Sequence, residues 1–110
     1  MEISAIASRL YDTARAAAQA HGVHFGDGAD SQIHDLTTKA ATEILRFCDV
    51  TNAAPEPMIK SSELLFVRLV DEMYAARLAI PGYAAGSPGI IGEQTLYEAL
   101  QKLCPMWPFC

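Results

Sequence analysis

Apolar residues recur at three- and four-residue steps in four stretches of the chain, and each stretch is bounded by residues that break helices. The first predicts a helix over 4–21, with Ile3, Ile6, Ala7, Leu10, Ala14, Ala17 and Ala18 on one shallow face and Gly22 as its stop. A second helix follows a loop with three glycines and takes Asp30 or Ser31 as its cap. Its apolar positions, Ile33, Leu36, Ala40, Ala41, Ile44, Leu45, Phe47 and Cys48, carry the helical period to an end within 49–52. The linker 51–57 holds Pro55 and Pro57 and is expected to be extended, because each proline disfavours helical geometry in the residue before it.

A third helix is expected from Ser61 or Ser62 to Pro81-Gly82. It is apolar around most of its circumference, with a narrow polar stripe at Arg68, Asp71, Glu72 and Arg77, and such a helix belongs in the centre of a fold. Residues 83–92 read as a Gly, Ala, Ser and Pro loop, suited to positioning the next helix or closing as a flap. The fourth helix covers 93–103, with Leu96, Tyr97, Leu100 and Leu103 on one side and Pro105 after its end. No repeat and no long alternating pattern is present, although 23–25 and Ile90-Ile91 each suit a short extended piece. The expectation is an all-α fold. It is a compact, irregular bundle of about four helices in a single domain spanning 1–110, with a long loop before the last helix and an apolar tail at 105–110.

Composition narrows the class. The 110 residues are 51% hydrophobic and 19% charged, which suits a packed domain and argues against disorder. A net charge of −5 argues against a broad phosphate-binding face, and the acids form no block that would mimic a nucleic acid. Glu2 stands where a secretory leader carries bases, no apolar run is long enough to span a bilayer, and the cysteines are odd in number. These features predict a cytoplasmic protein without membrane association, in which Cys104 and Cys110 close a loop only if oxidised.

The densest group of chemistry-bearing side chains is His21, His24, Asp27, Asp30, His34 and Asp35, which includes every histidine of the chain. Imidazoles and carboxylates suit a transition metal, but the spacing fits neither a zinc signature nor a calcium loop. The plainer reading is a solvated loop in which Asp27 or Asp30 caps a helix and His21 meets the end of another. Nucleophilic catalysis is not indicated. Cys48 lies on an apolar face, no Gly-x-Ser-x-Gly elbow occurs, and the glycines of 82–89 are not followed by the lysine of a phosphate loop. Asp71 and Glu72 adjoin Arg68, as in an exposed helical ion pair. No cofactor and no enzymatic activity are expected.

The run Thr95-Leu96-Tyr97-Glu98-Ala99-Leu100-Gln101-Lys102-Leu103 resembles the recognition-helix segment of PadR-type winged-helix repressors, where a Thr-Leu-Tyr lead-in precedes two leucines at helical spacing. The resemblance covers nine residues and implies a small DNA-binding regulator. The chain continues through Pro105 rather than into a β-wing, and Lys102 is the segment's one base. An ordinary amphipathic helix accounts for the same residues.

The tail Cys104-Pro105-Met106-Trp107-Pro108-Phe109-Cys110 contains the single tryptophan. Aromatic residues and methionine are enriched at interface centres, and a proline-stiffened segment loses little entropy on docking. Met106, Trp107 and Phe109 are therefore the expected anchors, with Arg68, Asp71, Glu72 and Arg77 as a charged rim. The expected function is non-enzymatic protein binding, to itself as a dimer or to another protein, as a small intracellular adaptor, regulatory subunit or inhibitor of the kind carried by phage or other mobile elements. DNA regulation and metal binding through residues 21–35 are the alternatives.

Overall fold

The structure is a computed structural model and describes residues 2–80 and 89–105. Among these residues the elements run α1 (Ile3–Ala20), β1 (His24–Phe25), α2 (Asp27–Thr51), α3 (Glu56–Ala79), β2 (Ile90–Ile91) and α4 (Glu93–Leu103). The architecture is the all-α bundle of about four helices that the periodicity implies.

Helix α1 ends where Gly22 adopts a left-handed conformation (φ 72°). The His21, Gly22 and Val23 amides then close on the carbonyls of Ala18 and Gln19. Two starts differ from expectation. Helix α2 begins at Asp27, a turn before the predicted cap, with Gly26 as an extended N-cap and the Asp30 amide bonded to the Gly26 carbonyl at 2.8 Å. Asp27 and Asp30 thus act by charge in the first turn rather than as side-chain caps. Helix α3 begins at Glu56, so the prolines shorten the linker instead of extending it through residue 57. Pro55 itself holds helical angles (φ −74°, ψ −24°), and Pro57 falls in the first turn, where a missing N–H costs nothing.

Between these helices Asn52 takes the left-handed conformation (φ 59°) that reverses the chain tightly. At the other end of α3, Ile80 is extended (ψ 116°), as the residue before Pro81 must be.

Pairings along the helices give their directions. Arg9 of α1 and His21 just past its end meet Glu56 and Asp71 of α3 in ascending order, so these two helices run parallel. Tyr11 of α1 meets Asp30 and His34 near the start of α2, and the two are antiparallel. Helix α4 runs against α3, with Lys102 on Glu72 at 2.9 Å. The core forms where these faces meet: Ile6, Leu10, Ala14 and Ala18 of α1, Ile33, Ala41 and Ile44 of α2, Ile59, Phe66, Leu69, Val70 and Met73 of α3, and Leu96 and Ala99 of α4. The alanines of α1 let its neighbours approach closely, which explains why a shallow apolar face suffices.

The two short apolar pieces join as a parallel pair, His24 opposite Ile90 and Phe25 opposite Ile91. The His24 amide bonds to the Gly89 carbonyl at 2.6 Å, and the Gly26 amide to the Ile91 carbonyl at 2.8 Å. A residue larger than glycine at position 26 would bring its Cβ to 3.2 Å from Ile90 Cγ2, so the tight join depends on Gly26.

Candidate docking surface

Several charged side chains tie the helices to one another. Arg9 donates to Glu56 at 2.7 and 2.9 Å and to Glu63 at 2.8 Å, while the Thr13 hydroxyl donates to Glu63 at 2.9 Å. The two carboxylates raise the Arg9 pKa, and the Arg9 hydrogen bonds lower that of Glu56. Gln32 donates at 3.3 Å to both Glu93 and Tyr97, bridging α2 and α4.

The histidine and aspartate group divides into two separate contacts because its members point to different neighbours. His21 pairs with Asp71 at 2.8 Å and stacks on Tyr74, with ring centroids 4.3 Å apart. His34 stacks on Tyr11 at 3.9 Å and lies 3.5 Å from an Asp30 oxygen. The Tyr11 hydroxyl donates to the same Asp30 carboxylate. Burial, then this bond, pushes the Tyr11 pKa up to about 12. His24 sits exposed in β1 and Asp27 exposed at the start of α2. Among the described residues no three His, Cys, Asp or Glu side chains gather in a way that would hold a metal ion. Tyr11 and Tyr74 are the partners that sequence reasoning missed. Each lies one or two helical turns along from a core residue, a spacing that marks it only once its neighbour is known.

The expected charged rim on α3 is also redistributed. Asp71 serves His21 and Glu72 serves Lys102. Arg77 is not on the rim: it is 4% exposed, and its Nε donates to the Ile90 carbonyl at 2.7 Å, fastening β2 to the end of α3. The reason is helical arithmetic. Nine residues from Arg68 to Arg77 make about two and a half turns, which puts the two on opposite faces.

What remains on the outer face of α3 is Lys60, Leu64, Arg68, Asp71, Ala75 and Leu78, all exposed. Leu64 is 66% exposed and Leu78 56%. Beside Leu64, a groove of about 360 Å³ opens between α3 and the end of α4, lined by Ser61, Leu64, Leu65, Arg68 and Leu103. Lys60 and Arg68, like Arg15 and Lys39, make no ion pair within 4 Å among the described residues, while Lys60 still acts by charge on Glu56. The expected anchors Met106, Trp107 and Phe109, and the pairing of Cys104 with Cys110, lie outside the described residues. The chain leaves the wall of this groove at Leu103 and reaches them three residues later.

Within the segment that resembles a repressor recognition helix, Thr95, Leu96 and Ala99 are buried, and the Thr95 hydroxyl donates to the Gly92 carbonyl at 2.7 Å. Its outer face carries Tyr97, Glu98 and Gln101, with Lys102 held by Glu72. No helix among the described residues is long and apolar enough to cross a membrane. Compared with known protein families, curated proteins and solved structures, the chain matches none.

Proposed function

We propose that the chain is a non-enzymatic protein-binding module, a small intracellular adaptor, regulatory subunit or inhibitor that acts by apolar docking. The observation that carries this reading is the uncovered Leu64. A large apolar side chain stands open beside a leucine-lined groove, at the point where a tail rich in Met, Trp and Phe begins. Leucines exposed singly are ordinary; one that continues into a concave apolar wall is the arrangement of an interface. Met106, Trp107 and Phe109 are the proposed anchors of the tail, and Arg68 lines the groove.

A photo-activated cross-linker at Ser61, on the groove wall, tests this in the cell of origin, with sedimentation velocity over a dilution series to detect self-association. One dominant cross-linked species, or a dimer, is expected, and either should be lost in Leu64→Glu and weakened in Trp107→Ala. A chain that sediments as a monomer and couples to nothing, or coupling indifferent to both substitutions, refutes the reading. Leu64 is 66% exposed, so helical content in Leu64→Glu should be unchanged by circular dichroism.

A further inference from the structure

We infer that the outer edge of β1 is a docking site for one extended, apolar residue of a peptide, which pairs antiparallel with Phe25 in the cleft between α1 and β1. The site is separate from the α3–α4 groove, and its ground is where the backbone hydrogen bonds of the strands go. With His24 opposite Ile90, His24 turns its N–H and C=O toward β2: its N–H reaches the Gly89 carbonyl at 2.6 Å, and two residues on the Gly26 N–H reaches the Ile91 carbonyl at 2.8 Å. Phe25, between them, therefore turns both of its backbone groups to the other side. Neither has a hydrogen-bond partner among the described residues, although Phe25 is partly buried against the core, where such groups are nearly always paired. The far edge of the sheet is closed by contrast. The Ile90 carbonyl, which faces away from β1 in the same register, accepts from Arg77 Nε at 2.7 Å.

Beside that free edge lies a cleft of about 180 Å³, with Tyr11, Arg15 and Gln19 of α1 on one side and Val23, His24 and Phe25 on the other. No residue of β2 lines it, so it follows the side of β1 that β2 leaves open. One donor and one acceptor on a single residue select the occupant. In an antiparallel pair, two residues directly opposite exchange both N–H···O bonds, so one guest residue satisfies Phe25 completely. The two-residue length of β1 and the small cleft confine the pairing to that residue. Its side chain falls on the same face as those of Val23 and Phe25. Both of these pack toward the core, whereas His24 on the other face is exposed, so the guest side chain is apolar. Main-chain bonds then supply the affinity and the side chain the choice of residue, as in other strand additions.

The test uses blocked tripeptides, acetyl-Gly-X-Gly-amide with X each of the standard residues, titrated to about 10 mM into the full, nitrogen-15-labelled chain, a range suited to millimolar affinity. In the free chain the Phe25 amide should exchange with solvent faster than those of His24 and Gly26. Peptides with apolar X are expected to shift the Phe25 resonance and to slow its exchange about tenfold or more at saturation. N-methylation of X removes the donor to the Phe25 carbonyl and should weaken binding about fivefold or more. The same methyl on the glycine after X falls on a nitrogen turned away from β1 and should have little effect. Three results would each overturn the inference: a Phe25 amide as protected in the free chain as that of His24, no tripeptide that slows its exchange, or binding that favours charged X or is indifferent to which nitrogen is methylated.

Discussion

Arg77 offers a sharp test of how the short strands are held. It is 4% exposed near the end of α3, and its Nε donates to the Ile90 carbonyl at 2.7 Å. Replacing it by Met keeps an unbranched apolar stem of similar reach and removes the guanidinium. A hydrogen bond to a charged group contributes about 1.5–3 kcal/mol, and a carbonyl left without its donor costs a similar amount. Counting this bond alone, Arg77→Met should lower stability by about 2 kcal/mol. For 110 residues the unfolding entropy near the midpoint is about 0.23 kcal/mol/K, so that loss lowers Tm by about 9 °C.

The location of the loss is the more telling quantity. Ile90 pairs with His24, and the His24 and Gly26 amides bond to the carbonyls of Gly89 and Ile91. Hydrogen exchange followed residue by residue should show these two amides accelerated about 30-fold, the equivalent of 2 kcal/mol, with the middle of α1 and α3 changed less. Arg77→Lys should recover part of the stability without restoring the Nε geometry. A loss below about 0.5 kcal/mol, or equal acceleration in the strands and the helices, would refute the view that Arg77 fastens β2.

Three further substitutions probe the packing and the polar contacts. Ala14 is 0% exposed in the α1 interface, so Ala14→Leu should cost about 1–3 kcal/mol through overpacking, while the same change at exposed Ala16 should be near neutral by urea denaturation. Tyr11, whose folded pKa of about 12 lies above the ordinary tyrosine value, should add its share of the absorbance rise near 295 nm only as the pH approaches 12, read as the difference between the parent and Tyr11→Phe. Because the fold favours the neutral phenol, its contribution is fully present below about pH 10 and is lost as the pH rises toward 12, and Tyr11→Phe should remove that loss.

How much of this was legible in the chain depends on whether the signal was local. Helix α4 carries its own boundaries, Gly92 before it and Pro105 beyond it, and the predicted span coincides with Glu93–Leu103. The apolar pieces at 23–25 and 90–91 were also visible as extended. Their parallel pairing was not, because it depends on α2 and α3 bringing distant residues together. The start of α3 was misplaced by treating both prolines as breakers, although a proline in the first helical turn is permitted. The division of the histidines came from Tyr11 on α1 and from Asp71 and Tyr74 on α3, whose pairing with a particular histidine has no local signal in the sequence.

The apolar breadth of α3 deserves a different explanation from centrality alone. A helix apolar on nearly every side needs neighbours on every side, and the described residues supply α1, α4 and a partial contact with α2. Leu64 and Leu78 are fourteen residues apart, about four turns, and so fall on one line of the helix. That line is the one left open. Leu65 and Phe66, the next residues round the helix, are partly and fully buried, so the boundary of the core passes along the helix beside Leu64. Had α3 been a fully central helix, the cost of exposing Leu64 would have been removed by a covering element or by a polar residue at that position. A single polar substitution there would be free of packing consequences. The open line through Leu64 and Leu78 is therefore the feature on which the proposed docking rests.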